Sequence, residues 1–151
     1  MKEAIIIFGC SSRIGQNFIN QMHNDFKIFA ITSSKKKNIF NSNIANKINL
    51  VKIDNYNLSS VKKIFRIIQK KNIKKISKIF LFRNNKNILV NNPTSWLNEF
   101  ENNVVLPNLI LNEFLKNKIK LKRVVFTSSI YSKYLPPTNL HKNLRKFPIL
   151  A

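Results

Sequence analysis

Residues 4–15 read AIIIFGCSSRIG and give the clearest indication of the fold. Its first five residues form a short, continuous apolar run, which is typical of a strand buried on both faces of a parallel sheet. The run ends at Gly9, and apolar residues then recur at helical spacing, at Ile14, Phe18, Ile19 and Met22. The stretch therefore predicts a buried strand, a tight turn and an amphipathic helix in direct succession.

The rest of the chain alternates the same two patterns. Further strands are predicted at 27–32, 50–54, 76–82 and 122–127. Between them we expect a short helix or a loop within 33–43, a helix that Ser59 or Ser60 caps, and a long helix opened by Pro93 that is kinked or broken at Pro107. This alternation predicts an α/β fold with a parallel sheet and right-handed crossovers, in a single domain over 1–151.

Composition and charge narrow the classes of function. The 151 residues include 27 Lys and Arg against 6 Asp and Glu, a formal net charge of +21. Because the lysines are spread along the chain and form no block, we expect no specific nucleic-acid partner, although the charge favours anionic ligands such as cofactor phosphates. The one cysteine, Cys10, excludes an internal disulfide, and we expect it to be a small packing residue and the protein to hold no metal.

Targeting signals are weak. The apolar run near the amino terminus is five residues long, shorter than a secretory signal needs, and no stretch reaches the roughly 18 apolar residues of a membrane helix. We expect a cytoplasmic protein with no membrane partner.

The turn after the first strand carries a resemblance. Residues 9–15 (GCSSRIG) resemble the Gly-x-x-x-Gly-x-Gly turn of the short-chain dehydrogenases/reductases, with Arg13 in place of the middle glycine. A tight turn of this kind needs glycine, and the helix that it opens presents free N–H groups and a positive dipole end to a phosphate. The resemblance implies that the cofactor is bound by Gly9, Ser11, Ser12, Arg13, Ile14 and Gly15.

Four further features follow in the order of that family. Asp54 ends the third predicted strand, where the family has an Asp near the adenine, and Arg83 and Asn84 follow the fourth strand, where the family has a cofactor-binding loop. Asn103, in the long helix before Pro107, matches the family's helical Asn, and Ser129 matches its catalytic Ser. The resemblance therefore implies a Rossmann-type, doubly wound parallel sheet and hydride transfer between a nicotinamide and a carbonyl or alcohol substrate, with Ser129 and Asn103 as catalytic residues.

The family's Tyr-x-x-x-Lys pair is missing from these 151 residues. Tyr131 is followed four residues later by Leu135, and Tyr134 by Thr138. Residues 147–151 (FPILA) resemble the segment just before the family's catalytic Tyr, so the chain is interpreted as an incomplete, C-terminally truncated and inactive portion of a reductase. The alternative is a non-catalytic Rossmann module that binds a dinucleotide or acts as a scaffold.

The second strand decides the expected cofactor. NAD-binding folds place an acid at its end for the ribose 2′-hydroxyl. Here 32–37 reads TSSKKK, without an acid, and the hydroxyls of Thr32 and Ser33, the three lysines and Arg13 suit a 2′-phosphate, so NADP is favoured over NAD. Other interpretations remain, since the lysines also suit a solvated surface and the bulk of Arg13 hinders approach to the pyrophosphate.

Self-association is expected as well. A chain that ends before the family's last strands leaves the apolar strand around Val124, Val125 and Phe126 without its neighbour, and an uncovered edge invites pairing or aggregation. We expect the full-length form to be a homo-oligomer.

Overall fold

A computed structural model describes residues 2–82, 97 and 100–126. The strands in this part of the chain are β1 (Ala4–Phe8), β2 (Lys27–Thr32), β3 (Asn49–Lys52), β4 (Lys75–Leu81) and β5 (Lys120–Phe126). The α-helices are α1 (Arg13–Met22), α2 (Ser42–Ala45), α3 (Leu58–Lys70) and α4 (Leu106–Lys116), and a π-helical segment (Glu101–Val105) runs directly into α4.

All five strands form one parallel sheet in the order β3-β2-β1-β4-β5. Ile6 of β1 pairs with Phe29 of β2 on one side and with Ile79 of β4 on the other. β2 and β3 therefore lie on one side of β1, and β4 and β5, which come later in the chain, lie on the other side. The point where the direction reverses, between β1 and β4, is where open α/β sheets bind their ligands.

The helices cover both faces of the sheet, because successive side chains of a strand point to opposite faces. Ile5 and Ile7 of β1 pack with Ile19 of α1 and Ile44 of α2 on one face. On the other face, Ile6, Phe8 and Phe29 of the sheet belong to one core cluster with Ile64 and Phe65 of α3 and with Ile110 and Phe114 of α4. The predicted doubly wound parallel α/β sheet is confirmed.

The observed strand boundaries differ in part from those predicted from the sequence. The first two strands are found where 4–8 and 27–32 were predicted. The predicted strand 50–54 is wrong at its end, since β3 stops at Lys52, and among the described strands it pairs with β2 alone. One backbone hydrogen bond continues past the strand, from Ile53 N to Thr32 O at 3.0 Å. Asp54 follows it, outside the strand pairing, and is exposed. β4 begins one residue earlier than predicted and β5 begins two residues earlier. Each of the two strands also ends one residue earlier than predicted.

The predicted cap of α3 is wrong. Asn57, not Ser59 or Ser60, caps this helix, because the Asn57 side chain accepts a hydrogen bond from Ser60 N at 3.0 Å. The helix begins at Leu58, one turn earlier than the apolar pattern indicates.

The predicted irregularity at Pro107 is confirmed. The π-helical segment ends at Val105, and Pro107 is the second residue of α4. Proline lacks an N–H and its ring clashes with the carbonyl of the preceding turn, so it is tolerated only where a helix starts or its turn widens.

Candidate cofactor-binding site

Neighbouring strands end together at the carboxyl edge of the sheet. Phe82 N donates to Phe8 O at 3.0 Å, and Ile53 N donates to Thr32 O at 3.0 Å. Each bond extends the strand pairing by one residue, so that the loops after β1, β2, β3 and β4 start side by side. Open parallel sheets bind their ligands just beyond the carboxyl ends of the strands, which is where the β1 turn lies.

The turn after β1 is built around Gly9. Its φ of 74° lies in the left-handed region, which costs a residue with a side chain roughly 1–2 kcal/mol. In this conformation the N–H groups of Gly9 and Cys10 both donate to Ile31 O, at 3.1 and 3.2 Å, while Ser12 N donates to Gly9 O at 3.0 Å. The turn is thereby fixed to β2 and reverses the chain within four residues.

Gly15 lets the helix approach that turn. A Cβ at Gly15 would lie 2.6 Å from Gly9 O, 2.9 Å from Cys10 Cα and 3.1 Å from Ser12 Oγ. The first two are backbone atoms, which cannot move aside as the end of a side chain can. Only glycine therefore permits the first turn of α1 to sit directly over the strand end.

The amino end of α1 offers backbone donors to a ligand. Ser12 caps the helix by accepting from Gly15 N at 3.0 Å. Within the part of the chain that the structure describes, the N–H groups of Arg13 and Ile14 have no acceptor. The side chains of both residues are exposed, and the turn contains no acid. Free N–H groups and the positive end of the helix dipole together favour an anion here.

Hydroxyl groups join this turn to the end of β2. Thr32 Oγ1 donates to Ser11 Oγ at 3.0 Å and accepts from Ser34 N at 2.9 Å. Gln16 of α1 donates through Nε2 to Ser11 O at 3.0 Å. Since the Thr32 hydroxyl is fully buried and has partners on both sides, it positions the β1 turn against the β2 loop.

Lysines surround the loop after β2. Ser33, Lys35 and Lys36 are exposed, and Lys52 at the end of β3 donates through Nζ to Lys36 O at 2.9 Å. This bond brings a further ammonium group to the loop. The electrostatic potential at the end of β2 is therefore positive, where an acid would be expected for an unphosphorylated ribose.

Cys10 is part of the packing beneath the turn. Its side chain is fully buried, and this burial raises the pKa of the thiol to about 12. The thiol therefore stays protonated at neutral pH and is a poor nucleophile. The packing role expected from the sequence agrees with this position.

The structure brings together part of the predicted site. One continuous turn holds Gly9, Ser11, Ser12, Arg13, Ile14 and Gly15, and the bond from Thr32 to Ser11 sets the start of the β2 loop, with Ser33, beside it. Asp54 lies two residues beyond β3, and Asn103 lies exposed in the π-helical segment. Arg83, Asn84 and Ser129 lie outside the described residues. The cofactor and catalytic roles of all these residues stay predictions.

Two contacts of the site could not be found from the sequence. The hydroxyl bond between Thr32 and Ser11 joins residues 21 positions apart, and the bond from Lys52 to the Lys36 carbonyl spans 16. Neither has a local motif, because each depends on which strands are neighbours.

The residues present fit the pyrophosphate of a dinucleotide. The turn provides free backbone donors, a positive helix end and an exposed guanidinium at Arg13. Among the described residues, no three His, Cys, Asp or Glu lie close enough together to hold a metal ion. The helices of the same residues include none long and apolar enough to cross a membrane.

The topology and the turn define a Rossmann-type domain. No protein-family model matches the sequence, and no curated protein matches it. Solved structures do resemble the chain. A variant of ElxO with NADPH bound has a TM-score of 0.69 and 19% identity, over 91% of this chain and 59% of that one.

Two further structures give the same result. A short-chain dehydrogenase from Leptospira borgpetersenii with bound NAD+ has a TM-score of 0.67 and 13% identity, over 93% of this chain and 56% of that one. The SCOR enzyme from Clostridium thermocellum has a TM-score of 0.69 and 15% identity, over 98% of this chain and 68% of that one. The chain thus has the fold of the short-chain dehydrogenases and spans somewhat more than half of their length, which confirms the resemblance at the level of the fold.

Proposed function

We propose that this chain is the cofactor-binding portion of a short-chain dehydrogenase/reductase, an oxidoreductase that transfers hydride between a nicotinamide and a carbonyl or alcohol substrate. The observation that carries the proposal is the β1 turn. Gly9 holds a left-handed φ of 74°, and Gly15 sits where a Cβ would be 2.6 Å from Gly9 O. This close approach leaves the amino end of α1 open to a pyrophosphate.

NADP is the proposed cofactor. Solved structures with this fold include one with NADPH bound and one with bound NAD+, so the choice has to come from this chain's own residues. The exposed Ser33, Lys35 and Lys36 follow β2, and Lys52 joins them. The hydroxyl and ammonium groups of these residues suit the 2′-phosphate of NADP. The exposed guanidinium of Arg13, in the adjoining turn, suits the same phosphate.

A binding titration tests the cofactor. We expect the 151-residue chain to bind NADPH more tightly than NADH in isothermal titration calorimetry. Replacing Lys35 and Lys36 together with Glu removes two phosphate donors, so NADPH affinity should fall at least about tenfold while NADH affinity changes little. The matched control is the double change of Lys70 and Lys71 to Glu, which alters the net charge equally at the far end of α3.

Each titration result that differs from these expectations contradicts a particular part of the proposal. Tighter binding of NADH by the unaltered chain would overturn the NADP assignment alone. An equal loss of NADPH affinity in the control variant would show that the overall charge, and not the β2 loop, selects the phosphate. Failure of the chain to bind either nucleotide would overturn the proposed function.

Catalysis is a separate part of the proposal. Asn103 and Ser129 are the proposed catalytic residues in this chain, and the Tyr-x-x-x-Lys pair is not among its 151 residues. We therefore expect the chain as it stands to bind cofactor without turning over substrate. The second candidate is a dinucleotide-binding module without catalysis, and hydride transfer by the full-length protein would exclude that candidate.

We also propose that the whole protein is a cytoplasmic homo-oligomer with no specific nucleic-acid or membrane partner. Exposed apolar side chains on the long helix support self-association. They are Leu97, Phe100, Val104, Leu111 and Leu115, the last of them 77% exposed.

A further inference from the structure

The hydroxyl of Thr32, at the end of β2, is fully buried and lies between the β1 turn and the β2 loop. A threonine hydroxyl has one proton to donate and two lone pairs that can accept. The proton is donated to Ser11 Oγ at 3.0 Å, and one lone pair accepts from Ser34 N at 2.9 Å. Thr32 therefore has no proton left for a phosphate, and its burial keeps the hydroxyl from direct contact with a ligand.

Ser11 is held through both its side chain and its backbone. Its Oγ accepts from Thr32, and its carbonyl oxygen accepts from Gln16 Nε2 at 3.0 Å. The residue is only half-buried, and among the described residues no acceptor takes the proton of its hydroxyl. This proton is therefore left for a ligand. A hydroxyl that accepts a hydrogen bond also donates more strongly, because the two bonds polarise each other.

We propose that Thr32 is a positioning residue of the cofactor site. It orients Ser11 so that the Ser11 hydroxyl donates to an oxygen of the pyrophosphate or of the adjoining ribose. This role rests on the proposed function, because it needs a dinucleotide at the β1 turn. The free N–H groups of Arg13 and Ile14 already favour an anion there, and the Ser11 hydroxyl adds a side-chain donor from the same turn.

The two nucleotides distinguish this role from direct contact with the 2′-phosphate. NADPH and NADH share the pyrophosphate and its riboses, whereas only NADPH carries the 2′-phosphate. Because Thr32 acts through Ser11 on the shared part, loss of its hydroxyl weakens the binding of both nucleotides. Loss of a direct ligand of the 2′-phosphate would weaken the binding of NADPH alone.

Thr32→Val removes the hydroxyl and keeps the shape of the side chain. NADPH and NADH are titrated by calorimetry into this variant and into the unaltered 151-residue chain. We expect both affinities to fall at least about fivefold, because Ser11 loses the bond that orients it. Thr32→Ser restores the hydroxyl and should recover most of the lost affinity. A loss confined to NADPH would make Thr32 a ligand of the 2′-phosphate and overturn the positioning role.

Coupling between the two hydroxyls separates positioning from a general structural effect. Ser11→Ala removes the proposed donor, so both affinities should fall at least about tenfold. In that background Thr32→Val should change binding by less than about twofold, because it acts through Ser11. Effects of the two changes that add in full would overturn the role. If Thr32→Val does not fold, Ser11→Ala still decides, since a loss for one nucleotide only, or for neither, would contradict the shared donor.

Ser77→Ala is the matched control. Ser77 of β4 is 3% exposed, and its hydroxyl donates to Ala4 O at 3.2 Å, at the opposite end of β1 from the turn. The change removes a buried hydroxyl bond, as Thr32→Val does, so stability should fall while both affinities stay within about twofold. An equal loss of affinity in this control would show that destabilisation alone weakens binding, and would overturn the role of Thr32.

Failure of this role and failure of the proposed function give different results. An unaltered chain that binds neither nucleotide would contradict the proposed function, and the positioning role with it. An unaltered chain that binds NADPH, together with a Thr32→Val variant that binds it as tightly, would overturn the positioning role alone.

Discussion

Gly15 is the residue on which the cofactor turn depends most. Gly9 makes the turn by adopting a positive φ, but Gly15 determines how close the helix comes to it. Both glycines lie just after the first strand in the sequence. The structure shows that they are needed for different reasons: Gly9 for its backbone conformation and Gly15 for the lack of a side chain. Arg13, which stands where the resemblance has a third glycine, is exposed and leaves the close contact between Gly15 and Gly9 intact.

Gly15→Ala should destabilise the protein, although alanine is the better helix former. In an exposed helix position this exchange stabilises by about 1 kcal/mol. Here the added Cβ meets two backbone atoms within 3 Å, and such overpacking costs about 1–3 kcal/mol. We expect a net loss of stability in urea unfolding, together with weaker NADPH binding.

The control for this exchange is Asn17→Ala, an exposed position of the same helix. It should be neutral or stabilising. A Gly15→Ala variant that gains stability as the control does would contradict the close approach.

At the level of elements, α3 shows that the capping residue of a helix cannot always be chosen from the local sequence. Its apolar spacing fixes the helix, yet three residues that can cap a helix precede that pattern: Asn57, Ser59 and Ser60. Sequence alone does not choose among them, because the first helical residue depends on how β3 ends. In the structure the Asn57 side chain accepts from Ser60 N, while the Ser60 hydroxyl donates to Asn55 Oδ1 at 3.4 Å.

Asn57→Ala should therefore cost about 1 kcal/mol of unfolding free energy, the usual effect of losing an N-cap. Ser59→Ala, one of the two capping residues predicted from the sequence, should stay within about 0.5 kcal/mol of the unaltered protein. Urea unfolding of both variants distinguishes the two. A larger loss for Ser59→Ala would show that the helix begins later than the structure has it.

At the scale of the whole molecule, β5 is the last strand of the described sheet and ends in three apolar residues, Val124, Val125 and Phe126. β5 has β4 on one side and no described strand on the other, and Phe126 is 54% exposed. Lys122 of this strand pairs at 3.5 Å with Glu3, the residue that precedes the central strand β1. Edges of this kind promote association, as do the exposed apolar residues of α4.

We expect the chain to self-associate in sedimentation velocity runs over a range of concentrations. Phe126→Lys should reduce association through the edge, and the pair Leu111→Lys and Leu115→Lys should reduce it through the helix. Leu58→Lys, at a residue 40% exposed elsewhere on the surface, is the control. A chain that stays monomeric throughout, or whose association falls equally in the control, would contradict a specific apolar interface.

The sequence predicted the sheet better than the site. Continuous apolar strands such as 4–8 and 27–32 can be found because burial on both faces leaves few polar residues in them. Short contacts between distant residues, such as that of Thr32 with Ser11, depend on which elements become neighbours. The turn could thus be identified from its residues, whereas the hydrogen bond that holds it to β2 required the structure.

Hydrogen–deuterium exchange of the chain with and without NADPH shows whether the β1 turn binds a nicotinamide dinucleotide, because the free N–H groups of Arg13 and Ile14 should become protected. We expect slower exchange at residues 9–15 and 32–37, and no change at the far end of α3. Binding that leaves residues 9–15 unprotected, or that protects another surface in their place, would contradict that expectation.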